Sequence, residues 1–194
     1  MIAYAITDPS TLDFNALEQD LERFSQHASM IVYRDTQNPN YAEYARLFMA
    51  SVKTYEKGFE KVLLHSDYLL AKELNADGIH LKSTQFSEIA KAKDLGLFVV
   101  VSTHTVEEAL EAEALGADMI TMSPIFHTPN KGLPIGVDVL KLIVSQVEIP
   151  VIALGGILTK DQIDVCRDAG AKGFASIRYF AKGTYKLLYS TKTL

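Results

Sequence analysis

Residues 107–122 read EEALEAEALGADMITM. Ala109, Leu110, Ala112, Ala114 and Leu115 share one face of a 3.6-residue period while the glutamates take the other, which predicts an amphipathic helix. Thr105 stands where an N-cap belongs, with Glu108 three residues on, a capping-box pattern. Gly116 follows the helix where a left-handed residue is wanted, and DMITM is a short apolar run of strand type. The same phrase returns as Ala169-Gly170-Ala171-Lys172 before GFASI. A looser copy, Leu74-Asn75-Ala76-Asp77 before GIHL, has Asn in the Gly slot, the next most tolerated residue there. A phrase recurring at roughly 20–25 residues is a βα repeat.

Working outward, eight short apolar runs punctuate the chain: 2–7 (IAYAIT), 30–34 (MIVYR), 61–65 (KVLLH), 78–81 (GIHL), 97–102 (LFVVVS), 118–122 (DMITM), 149–154 (IPVIAL) and 173–177 (GFASI). Their length and aliphatic content predict strands buried on both faces. Helical periodicity fills residues 15–24, 41–55, 87–95, 138–147 and 159–169, and Gly96 and Gly170 close two of these stretches. Eight βα units in a row leave a closed barrel or a large doubly wound sheet. No Gly-x-Gly-x-x-Gly follows the first strand, and the strongest glycine signal comes after the seventh. We therefore expect an α/β chain folded as a minimal (β/α)8 TIM barrel, one domain over residues 1–194, with no linker dividing it.

Composition narrows the class. The chain has 194 residues, 48% hydrophobic and 22% charged, which excludes disorder. Nineteen basic against twenty-four acidic residues give a net charge of −5, the wrong sign for a nucleic-acid binder. The single cysteine, Cys166, allows no internal disulfide. The amino terminus lacks a basic n-region and turns polar too early for a signal peptide. No apolar run approaches the ~20 residues of a membrane span. A cytoplasmic location is expected, with no nucleic-acid and no membrane partner.

Barrels place their chemistry at the C-terminal strand ends. Four of the five histidines, His65, His80, His104 and His127, fall at that predicted rim, and the opposite rim, rich in Gly, Ala and Asp, is expected to have none. Zinc is disfavoured because neither HxH nor HExxH spacing occurs. Gly155-Gly156 after the seventh strand lets backbone N–H groups approach an anion. With Ser176, Ile177 and Arg178 after the eighth, it predicts a phosphate cradle. A long loop from Pro124 to Gly136 carries His127, Thr128, Asn130 and Lys131, as a lid or binding loop would.

These motifs resemble a known family. Ala76-Asp77-Gly78-Ile79-His80-Leu81 is similar to the ADGIHL of thiamine phosphate synthases, and Val101-Ser102-Thr103-His104-Thr105 to their VSAHT. Residues 123–128 with Lys131-Gly132 resemble their GPIFPTxTK loop, and residues 152–157 their IGGI. The motifs stand in order along nearly the whole chain and resemble the thiamine phosphate synthase and TenI family of small TIM barrels. The synthase joins a pyrimidine pyrophosphate to a thiazole phosphate, releasing pyrophosphate, with magnesium. Carried over, the resemblance implies substrate contacts at Arg34, Asp67, Ser102, Thr128 and Lys131. It also implies a thiazole-phosphate cradle at Gly155, Gly156 and Ile177, with Arg178 where the family has Ser. Asp67 is the only retained magnesium position. The second falls at Gln85, the pyrophosphate Lys at Thr36, the strand-two Gln at Val32 and the second loop Thr at Asn130. Losing a metal carboxylate and a Lys together costs several kcal/mol, on the order of 10³-fold in rate.

That pattern resembles the TenI branch, some of whose members are thiazole tautomerases, which need an acid/base and a phosphate anchor but no metal. Their loop-six His falls here at Pro124, and His127 is the expected substitute. The expectation is a TenI-like enzyme that binds a thiazole phosphate as its small-molecule partner, with His127 and His80 catalytic. No cofactor is expected unless the alternative, a divergent magnesium-using synthase, holds. A non-catalytic phosphate-ligand sensor is the rival from another class, and a homodimer is left open.

Overall fold

The computed structural model describes residues 1–54, 58–129 and 131–183. Eight parallel strands pair in chain order and the last closes on the first. They are β1 (Ile2–Ile6), β2 (Met30–Tyr33), β3 (Lys61–His65), β4 (Gly78–Leu81), β5 (Phe98–Thr103), β6 (Met119–Met122), β7 (Val151–Leu154) and β8 (Gly173–Ser176). Between them run α1 (Leu17–Ser25), α2 (Tyr41–Val52), α3 (Tyr68–Glu73), α4 (Ile89–Asp94), α5 (Val106–Ala114), α6 (Gly136–Val144) and α7 (Lys160–Asp168). This is the (β/α)8 TIM barrel that the repeat predicts. Among the described residues, no helix is long and apolar enough to cross a membrane.

Strand alternation builds two cores. Tyr4, Ile6, Met30, Val32, Leu63, Val100, Met119, Ile152 and Ala175 fill the barrel interior. The neighbours of opposite parity, Ala5, Ile31, Leu64, Ile79, Val99, Ile120 and Ala153, face outward onto Leu21, Phe24, Phe48, Leu140 and Ile143. The interior is crowded enough that a Cβ on Gly78 would sit 2.1 Å from the Phe98 carbonyl oxygen.

The recurring phrase has a mechanical role at each of its parts. Gly116 and Asn75 adopt φ of 92° and 53°, the left-handed turn that reverses chain direction from helix to strand. The aspartate that follows clamps the preceding strand. Asp118 accepts the Val99 N–H on its carboxylate at 2.7 Å, and its own N–H donates to the Val99 carbonyl at 2.9 Å. Asp77 does the same to Val62, at 2.7 and 2.9 Å. Thr105 caps α5 by accepting the Glu108 N–H, but Glu108 reaches past the cap to the His104 N–H at 2.6 Å. The complete reciprocal box forms instead at Thr159 and Gln162, ahead of α7.

The differences from expectation are local. Helix α3 was not foreseen, because six residues are too few to show a period; the Asp67 carboxylate, accepting the Leu70 N–H, starts it. The stretch expected from residue 15 opens as a 3-10 turn, Phe14–Ala16, before α1. After β8 the described residues hold a 3-10 turn, Arg178–Phe180. Tyr55, at the end of the stretch expected to continue α2, lies outside the described residues.

Replacing Asp118 by Ala strands the Val99 N–H and removes the Lys93 ion pair at 2.6 Å. We expect a loss of about 1–3 kcal/mol in chemical denaturation, with Asp118→Asn recovering part of it.

Candidate functional site at the barrel mouth

The parity that points Leu63, Val100 and Ile152 into the barrel also brings His65, His80 and Ser102 to its C-terminal mouth. His80 Nδ1 lies 2.9 Å from the Tyr4 hydroxyl and its Nε2 lies 3.0 Å from Ser102 Oγ. The His65 ring meets His80 edge-on at 5.9 Å, and its Nδ1 lies 2.9 Å from Ser66 Oγ. Burial, then the neighbouring His80, Arg34 and Lys82, push His65 down to about 2. Burial and Arg34 push His80 down to about 3. Both rings are therefore held neutral at physiological pH, each with one protonated nitrogen and one lone pair. Arg34 is half-buried beside them, with its N–H donating to Thr7 Oγ1 at 3.0 Å. Its guanidinium has no hydrogen bond or ion pair among the described residues, so a cation waits unpaired at the mouth.

Across the mouth, the ends of β7 and β8 enclose a cavity of about 270 Å³. Gly155, Gly156, Ser176, Ile177 and Arg178 line it, with Thr128 and Pro129 from the β6–α6 loop and Asp8 and Ser10 from the loop after β1. The glycine pair has φ of 98° and 69°. Cβ atoms there would come 2.7 Å from Pro124 Cα and 2.5 Å from the His127 carbonyl oxygen, so the loop also demands glycines. Among the described residues, the backbone N–H groups of Gly155, Gly156 and Ile177 donate to no acceptor. Three unspent donors on one small cavity form an anion nest.

Other expected residues fall elsewhere. The Ser176 side chain faces away from the barrel axis and its hydroxyl is spent on the turn, donating to the Ile157 carbonyl and accepting the Tyr179 N–H. Ser176 thus lines the cavity with its hydroxyl engaged in the turn. His127 and Lys131 are exposed on the loop, Thr128 is half-buried with its hydroxyl on the Phe126 carbonyl, and Asn130 lies outside the described residues. His104, exposed at the end of β5, ties to the Ser123 carbonyl at the end of β6. The opposite rim, expected to be free of histidine, holds His27 in a shallow depression with Met1 and Glu60. Sequence reading missed Tyr4, whose only signal was a polar tip in an otherwise aliphatic strand. It also missed Tyr41, whose hydroxyl donates to the Tyr33 carbonyl and accepts the His65 N–H.

The residues present do not fit the magnesium site that the synthases imply. Asp67 caps α3, and Gln85 spends its amide on the Lys82 N–H, the Ser66 carbonyl and Glu88. No cluster of three or more His, Cys, Asp or Glu side chains suited to a metal occurs among the described residues.

Comparison with known proteins points one way. The pattern of the thiamine monophosphate synthase family matches residues 3–180. An Aquifex aeolicus protein, provisionally named thiamine-phosphate synthase 2, is 36% identical over 91% of this chain and 96% of its own. A thiamine-phosphate synthase of Syntrophomonas wolfei is 30% identical over 90% and 85%. A thiamine phosphate pyrophosphorylase from Pyrococcus furiosus superposes with a TM-score of 0.78 at 28% identity, covering 95% of this chain and 90% of that one.

Two outcomes follow from this geometry. Inorganic phosphate titrated by calorimetry binds wild type, and Gly156→Ala weakens it at least tenfold, because the added Cβ displaces both loop and nest. Stability is the second. His65 and His80 are held below their unfolded value of 6.5. As pH falls below 6.5 the unfolded chain takes up protons first, so stability present above that pH is lost toward pH 3. Denaturation at pH 7 and pH 5 should differ by about 1–2 kcal/mol per histidine, and His65→Asn should remove its share.

Proposed function

This chain belongs to the thiamine monophosphate synthase family, and we propose that it binds a thiazole phosphate and joins it to a pyrimidine pyrophosphate, releasing pyrophosphate. The observation that carries this reading is the nest of unspent N–H groups at Gly155, Gly156 and Ile177, at the same mouth as Arg34, whose guanidinium has no partner among the described residues. One end suits a phosphate monoester. The other suits a leaving group whose negative charge grows as its bond to the pyrimidine carbon breaks and the thiazole bond forms. Arg34 and Lys82 are the cations on that side, Ser102 offers a hydroxyl at the same mouth, and Lys131 is exposed on the β6–α6 loop. Charge stabilisation rests on these side chains, with Thr36 and Gln85 adding none.

A second reading has one specific observation behind it. Gln85, tied into the loop after β4, stands where the synthases use a carboxylate, while the anchor is preserved. That combination suits proton transfer on a thiazole carboxylate phosphate, with the exposed His127 as acid/base. Against it, Pro124 fills the slot of the TenI-branch histidine and packs on Gly155.

One pair of assays separates them. Thiamine phosphate formation is expected at a rate at least tenfold below a reference synthase, with Thr36→Lys plus Gln85→Asp raising it and His127→Asn leaving it within twofold. If transfer is absent and NMR shows proton migration in the thiazole that His127→Asn cuts ~10²-fold, the tautomerase reading replaces it. Phosphate-ligand binding with neither activity would make the chain a sensor.

A further inference from the structure

A phenol, an imidazole and a hydroxyl stand in a row from the barrel interior to its mouth: Tyr4, His80 and Ser102. Two proton arrangements satisfy the two short distances. In the first, Tyr4 donates to His80 Nδ1 and His80 Nε2–H donates to Ser102 Oγ, so Ser102 keeps its own O–H to give. In the second, Ser102 donates to Nε2, Nδ1–H donates to Tyr4, and the Tyr4 O–H is left over. Tyr4 is 0% exposed, and His80 is the only partner of its hydroxyl among the described residues. The second arrangement therefore strands a donor inside a sealed interior, where water cannot reach it. The first leaves the spare donor on half-buried Ser102, at the rim, where water or a ligand accepts it.

We infer that Tyr4 is a positioning residue: it fixes His80 in the Nε2–H tautomer, so that Ser102 presents its hydroxyl proton to the ligand and the site over β5 selects a hydrogen-bond acceptor. The Tyr4 and His80 rings stack at 5.6 Å and 26°, and His65 closes the edge of the His80 ring, so the imidazole is held in one orientation. Burial and the Arg34 charge keep His80 neutral, so one ring nitrogen carries a proton and the other accepts. Burial also pushes the Tyr4 phenol well above its usual value, which keeps it a donor. Under the transfer reading, on which the ligand's identity rests, the acceptor is a pyrophosphate oxygen or a ring nitrogen of the pyrimidine half. A ligand that offers an N–H there meets the Ser102 O–H head-on.

The test uses the whole chain. Nitrogen-15 NMR of wild type should show a protonated Nε2 and a lone-pair Nδ1 on His80; the reverse assignment overturns the inference, whatever the enzyme catalyses. Tyr4→Phe, nearly isosteric, should release that preference. In the transfer assay Tyr4→Phe should lower kcat/KM roughly tenfold, the scale of one neutral hydrogen bond. Ser102→Ala should cost at least as much alone and little more on top of Tyr4→Phe, since both remove the same donated proton. Fully additive losses would reduce Tyr4 to packing and sink the relay. Absent transfer in wild type would overturn the proposed reaction, while the nitrogen assignment would still decide the relay.

Discussion

Strand alternation in a small closed barrel is the constraint on which everything else depends. Each strand is four to six residues long and gives the interior only its alternate side chains. A one-residue slip would exchange the inner and outer sets. Register therefore has to be held at every strand, and the aspartates of the repeat help to hold it. Asp77 and Asp118 each take both the N–H and the carbonyl of a single residue on the preceding strand, Val62 and Val99. A carboxylate bound to a backbone N–H is a charge-assisted bond, stronger than a neutral one. With register set, His65, His80 and Ser102 can only be inside.

Polar groups at the inner mouth then have to be satisfied. The buried cluster below them is largely aliphatic, so it offers few partners and a low dielectric. His80 uses both nitrogens, to Tyr4 and Ser102, and stays neutral, because a second proton would place charge in that interior beside Arg34. Neutral imidazoles leave the Arg34 guanidinium, without a partner among the described residues, as a local positive charge beside them on a chain whose overall charge is −5. Local field, not total charge, governs which ligand such a mouth attracts.

The two halves of the mouth are unequal. On the β7–β8 side the anion donors are backbone groups, and the glycines that expose them are also required by the packing of the β6–α6 loop. Site and scaffold share the same residues there, and side-chain change elsewhere leaves the nest intact. On the β2–β4 side the groups able to meet an anion are individual side chains, Arg34 and Lys82 among them. Gln85 fits its loop through three hydrogen bonds of its own while removing a carboxylate from the site.

Sequence alone determined the eight strands, their order, the helix-closing turns at Gly116 and Asn75, and the grouping of Gly155, Gly156, Ile177 and Arg178 at one cradle. These rest on short-range rules: period, turn conformation and the alternation of strand with helix, all of which are visible within a window of some twenty residues. Tertiary structure decided the rest. It placed Tyr4 behind His80, spent the Ser176 hydroxyl on a turn, took Gln85 into a loop and set His27 at the far rim. Each of these joins residues from different strands or depends on which polar atoms are already engaged. A hydroxyl or an imidazole reads the same in sequence whether its hydrogen bonds are free or used, and only the packed barrel determines which.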